Sequence, residues 1–206
     1  MTDISLRGKG GVGAKAPYHN EAFIPDGYTT GKYYMADVDW RYILPAITVA
    51  NQVFMLPFTP KTTHTFTGLV FVVGSGTPNI RVGIYESGTD NFPQDLLLES
   101  GSTTAATGVN EVVISQSLTA NTPYWLAFQT DSNANIYGLK AASSVQSAAT
   151  PTTGAARGLT PAHFGGVSHL MSCPQLAHTY GAFPNPISGW VHADSTTQMP
   201  FIMLKA

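Results

Sequence analysis

The chain has 206 residues, with 10 Lys plus Arg against 12 Asp plus Glu, a net charge of −2 and only 11% charged residues. That balance offers no field for nucleic acid or an anionic membrane, and no apolar stretch reaches the length of a membrane span. One Cys, Cys173, rules out an intramolecular disulfide, and at this length a single domain buries about 70% of its unfolded surface without one.

Residues 1–17 are Gly-rich and basic and too poor in apolar side chains to hold a core, so they read as an extended arm. Arg7, Lys9 and Lys15 are its candidate anchoring charges, followed by Tyr18 and Phe23. The segment lacks the apolar core of a signal peptide, so export is expected only by another route, such as assembly into a particle. Residues 18–45 are aromatic, yet Pro25, Gly27, Gly31 and Pro45 deny them a long helix. Two readings stand for this stretch: docking on a neighbour, or completion of the domain's own core.

Strands are expected at 53–58, 65–73, 79–86, 96–99, 111–118 and 124–131, with 136–139 as a further one. Pro57 points to an edge or bulge because it cannot donate to a ladder. The clearest patterns alternate with period two. Ile80, Val82 and Ile84 oppose Arg81, Gly83 and Tyr85, and Tyr124, Leu126 and Phe128 oppose Trp125, Ala127 and Gln129. Strands spaced by Gly, Pro, Asn and Asp turns predict an all-β, antiparallel β-sandwich. Residues 139–198 read as a loop-rich insertion, and 200–205 as a closing last strand. The domain division is therefore an arm and aromatic docking segment over 1–45 and a sandwich over 46–206.

Motifs with chemical potential fail on their neighbours. The run Lys9-Gly10-Gly11-Val12-Gly13-Ala14-Lys15-Ala16 resembles a phosphate-binding loop of the deviant type, but Ala14 and Ala16 replace the residues that must reach phosphate and magnesium, and Pro17 blocks the helix. His163, His169, Cys173, His178 and His192 carry ligand chemistry at spacings of no compact metal motif. Ser168 beside His169 lacks the second Gly of a nucleophile elbow. Asp90, Asn91 and Asp95 read as a solvated turn before a calcium site. No catalytic residue, cofactor or metal is assigned, and the chain is expected to be non-enzymatic. Tyr137, Tyr180, Phe183 and Trp190 remain as aromatics able to stack on a sugar or anchor a subunit contact, uses that sequence alone does not separate.

The motifs Tyr28-Thr29-Thr30-Gly31-Lys32-Tyr33-Tyr34, Phe54 to Phe58, Arg81-Val82-Gly83-Ile84-Tyr85, the turn at 93–97 and Tyr124-Trp125-Leu126-Ala127 resemble β-sandwich proteins among the head-fibre, decoration and tail-fibre components of tailed bacteriophages. The resemblance covers residues 28–131 and transfers no functional residue. It implies a jelly-roll-like structural module on a virion, made in the host cytoplasm and held by its arm. It also implies a homo-oligomer, a trimer before other states, with other virion proteins as partners. The alternative is a carbohydrate-binding adhesion module recognising host-surface glycans.

Overall fold

The computed structural model describes residues 27–35, 42–47, 50–140, 174–192 and 199–206. In chain order the strands are β1 (Tyr33–Met35), β2 (Tyr42–Ile47), β3 (Gln52–Phe58), β4 (His64–Ser75), β5 (Asn79–Ser87), β6 (Pro93–Glu99) and β7 (Thr103–Thr104). They continue with β8 (Gly108–Leu118), β9 (Tyr124–Thr130), β10 (Asn135–Lys140), β11 (Pro174–Ala177), β12 (Val191–His192), β13 (Met199–Pro200) and β14 (Met203–Lys205). Every pairing is antiparallel, and the strands form two sheets packed face to face, the sandwich expected from the period-two patterns.

The first sheet is built on β4. One edge of β4 carries β8 from His64 to Val73. The other edge is split: Val73 and Ser75 pair with β10, whereas Gly68 to Val70 pair with β14. The C-terminal segment enters this fork, with β13 on β10, β14 on β4, and the Phe201 amide donating to the Tyr137 carbonyl at 2.9 Å. The last strand is therefore two short ones serving two neighbours. β1 lies beyond β14 and β2 beyond β10.

The second sheet runs β12-β11-β3-β9-β5-β6, with β7 also on β5. Pro57 pairs with Trp125 beyond the reach of β11, which covers only Gln52 to Phe54, so its missing donor faces a local edge as expected. Between the sheets lie Phe54, Leu56, Phe58, Ile80, Val82, Ile84, Leu126 and Phe128 from the second sheet, and Phe66, Leu69, Phe71, Ile136 and Leu204 from the first.

One boundary differs from the sequence reading. The division at residue 45/46 falls inside β2, and β1 is already a strand of the first sheet. Tyr28 stacks edge-on against Tyr34 at 4.7 Å and Phe66 at 4.8 Å, and its phenol accepts from the Lys61 amide at 3.1 Å. For Tyr28 and Tyr34, completion of the domain's own core is thus the correct one of the two readings: their apolar rings extend the inter-sheet cluster.

Truncating Leu126 to Ala, at a fully buried position of the central strand β9, is expected to cost about 2–5 kcal/mol. Urea unfolding monitored by Trp fluorescence checks this, with the midpoint shifting and the slope unchanged.

Candidate functional site

The outer face of the second sheet is the chemically richest part of the described residues. Alternation on β3, β5 and β9 sends Val53, Met55, Tyr85, Trp125 and Ala127 to that face, all buried at 2% exposure or less. An apolar sheet face of this kind needs a cover. Residues 178–190 supply it, as a strap following β11 that inserts Phe183 and Ile187 at 5% exposure each.

Gly83 decides where Phe183 sits. A Cβ at this mid-strand position would meet the Phe183 ring at 2.8 and 2.9 Å and the Leu98 carbonyl at 2.7 Å, so bare backbone is the seat of the ring. The ring packs beside Tyr85 with centroids 6.2 Å apart. Tyr85 in turn donates its hydroxyl to the Pro184 carbonyl at 2.8 Å.

The polar groups on this face are spent on the strap backbone. Gln129, fully buried, donates to the His178 carbonyl at 2.6 Å and accepts from the Gly181 amide at 3.4 Å. Asn51, held at φ +60°, accepts from the His178 amide through its carbonyl at 3.0 Å and from the Tyr180 amide through its side chain at 2.9 Å. Glu99 accepts from the Phe183 amide at 3.2 Å while pairing with Arg81. Asn185 accepts from the Leu96 amide at 3.1 Å, and the Ile187 amide donates to the Gln94 carbonyl at 2.9 Å. The bonds of Gln129 and Glu99 meet part-buried donors and acceptors that would otherwise lack a partner, whereas those of the Asn51 and Asn185 side chains lie at the surface and fix the course of the strap.

The four aromatic candidates do not share one surface. Phe183 is inside rather than exposed, because the apolar face beneath it and the gap at Gly83 draw the ring in. Tyr180 lies half-buried under the Arg81 guanidinium, 5.6 Å from the ring centroid, with its hydroxyl 2.7 Å from that of Ser102. Trp190 is half-buried against Phe92, with ring centroids 4.5 Å apart and planes inclined by 34°. Tyr137 belongs to β10 in the opposite sheet. Among the described residues, the expected loop-rich insertion over 139–198 thus holds the end of β10, the strands β11 and β12, and a pinned strap.

Arg7, Lys9, Lys15, Tyr18 and Phe23 lie outside the described residues, as do His163, Ser168, His169 and Cys173. Among the described residues no three His, Cys, Asp or Glu side chains come together to hold a metal. Asp90 accepts from the Phe92 amide at 3.1 Å within a turn closed by the Gly88 amide on the Phe92 carbonyl at 2.7 Å, an arrangement that serves the turn. Sequence reasoning missed Phe92, Asn51 and the part played by Gly83. A glycine inside a strong strand pattern was the available signal for close approach by another group.

Burial first, and then the charge of Glu99, holds the Tyr85 phenol well above the ordinary tyrosine range. A phenol raised in the folded state keeps its proton while the unfolded chain loses it, so the stabilisation is complete below about pH 10 and is lost as pH rises above that value. Tyr85→Phe is therefore expected to flatten the alkaline loss of stability, read as a shallower fall of the urea midpoint between about pH 9 and 11 than in the parent chain. Gly83→Ala is expected to destabilise by about 1–3 kcal/mol through overpacking. Its penalty should shrink in a Phe183→Ala background, where only the Leu98 carbonyl still opposes the methyl; equal penalties in both backgrounds would refute the seat.

No protein-family model, no curated protein and no solved structure matches this chain.

Proposed function

We propose that this chain is a non-enzymatic structural protein of a bacteriophage virion, a capsid-decoration, head-fibre or tail-fibre module held to the particle by its N-terminal arm. The observation that carries the reading is how the side chains are spent. Aromatic and polar groups that would serve a ligand instead pin the strap, and the large apolar residues left exposed among the described residues, Tyr33, Val109, Val113 and Val191, sit on a surface with few charges. Neutral, mostly β-branched surface of this kind suits lasting contact with other protein, since charge is depleted at interface cores. The phage setting comes from the resemblance of the strand motifs, and the anchoring role of the arm from its basic, Gly-rich composition. Weak attachment through an arm is multiplied when many copies share one particle.

One feature favours a second reading, the glycan-binding adhesion module. The Phe92–Trp190 pair sits at the surface beside exposed Asn91, Ser188, Gly189 and Val191, and half-exposed rings next to neutral polar groups can stack on a sugar face.

Mass spectrometry and antibody-labelled electron microscopy of purified particles are expected to find the full chain on the virion. A chain lacking residues 1–17 is expected to fold yet be missing from particles. Absence of the full chain from particles would overturn the virion reading, and normal incorporation of the truncated chain would overturn the arm's role. Glycan-array binding that Trp190→Ala abolishes, while the truncated chain retains it, would select the adhesion module instead.

A further inference from the structure

β8 is an eleven-residue strand with one edge on β4, and among the described residues nothing pairs with its other edge. A long open edge is ordinarily blunted by Pro, by Lys or by charges facing the incoming strand. Gly108-Val109-Asn110-Glu111-Val112-Val113-Ile114-Ser115-Gln116-Ser117-Leu118 has no Pro, Lys or Arg and a single acidic residue. That residue is turned away from the open edge. Glu111 reaches inward across β4, where its carboxylate would lie 3.0 Å from a Cβ on Gly68, and receives both of its contacts, at 2.7 and 2.9 Å, from Lys205 on β14. The ion pair holds the Lys205 ammonium above its usual range, chiefly through this hydrogen bond, and leaves the open edge without net charge.

The strand is also self-complementary. Val113 is its midpoint and, at 81%, more exposed than Val109 at 69% on the same face. Exposed and half-buried residues alternate along β8 from Gly108 to Ser117, ending on buried Leu118, even where its register on β4 shifts between Phe66 and Gly68. Antiparallel pairing of two copies about a two-fold axis at Val113 sets Val113 against Val113, Glu111 against Ser115, Val112 against Ile114 and Asn110 against Gln116. No like charges oppose each other in this register. Val112 and Ile114, half-buried at the rim of the inter-sheet core, would be covered from their open side.

We propose that β8 is a self-association edge, through which two copies of this chain join their first sheets antiparallel about Val113. Such an isologous contact supplies main-chain hydrogen bonds to both edges at once and closes on itself, so it protects the edge without building a fibre. The partner is a second copy of the chain, and the contact would operate within the assembly role proposed above.

The test uses the full chain in a Cys173→Ser background. Sedimentation is expected to show a dimer, and Val113→Lys, which sets two ammonium groups on the axis, to weaken it at least about tenfold while circular dichroism stays unchanged. Under mild oxidation Val113→Cys should form a covalent dimer far faster than Val109→Cys, whose partner in this register is Ser117. A monomeric parent chain, an oligomer indifferent to Val113→Lys, or equal cross-linking of the two Cys variants would overturn the proposal. So would amide exchange of β8 that is already slow in a monomer, because another segment of the chain would then cover the edge. These measurements are made in solution, so failure of the dimer leaves particle occupancy to its own assay, and absence from particles leaves the dimer standing.

Discussion

The seat of Phe183 on the bare backbone of Gly83 is the contact on which the rest of this structure depends. The second sheet carries apolar residues on both faces, and an antiparallel sheet of that composition is stable in water only when both faces are covered. The opposite sheet covers one face and the strap the other. Burying a Phe side chain contributes about 1.5–3 kcal/mol, but only if the ring can approach closely enough to exclude water. A methyl group at residue 83 would hold it off. Once the ring is seated, Gln129, Asn51 and Glu99 find strap backbone within reach; Gln129, which burial would otherwise penalise, becomes a fastener, and Asn51 adds another at the surface.

This explains why the strands were legible from residues alone and the strap was not. Period-two alternation in Arg81-Val82-Gly83-Ile84-Tyr85 and Tyr124-Trp125-Leu126-Ala127-Phe128 is a local signal, and it correctly assigns Ile80, Val82, Ile84, Leu126 and Phe128 to one face of the sheet. It also shows that Tyr85, Trp125 and Ala127 share the other face. What it does not contain is the identity of the cover, since Phe183 is a hundred residues from Gly83 in the chain and lies in a segment without periodicity. Its aromatic residues therefore read as exposed. A face too apolar to be left in water was the missed clue, and it required asking what covers Tyr85 and Trp125. Short strands such as β1, β7 and β12 escaped for a related reason: two or three residues hold no period, and their pairing is settled by the neighbour.

Glycines within strands mark two of the places where the sheets are crossed by a side chain from elsewhere. Gly83 admits an aromatic ring to the second sheet, while Gly68 lets the Glu111 carboxylate pass over β4 to Lys205. An ordinary side chain at either position would stand in the path of the contact. The consequences differ because the crossing groups differ. On the second sheet the crossing delivers a hydrophobic cover and seals the face. On the first it draws the only acidic group of β8 away from the strand's outer edge, so that the edge remains neutral over its whole length.

The two sheets thus have opposite relations to the surface. In the second, tertiary contacts within one chain consume the apolar face and its polar neighbours, and little is left to recruit a partner apart from the Phe92–Trp190 lip. In the first, β4 is covered along both edges, but among the described residues β8 keeps an unpaired ladder and an exposed row that includes Val109 and Val113. Open backbone donors and acceptors are satisfied by water at modest cost, so stability of the single chain does not demand a partner there. A long neutral edge without a gatekeeper does invite uncontrolled pairing. With that edge open among the described residues, the symmetric contact proposed above is the arrangement that would occupy it without leaving another edge of the same kind exposed.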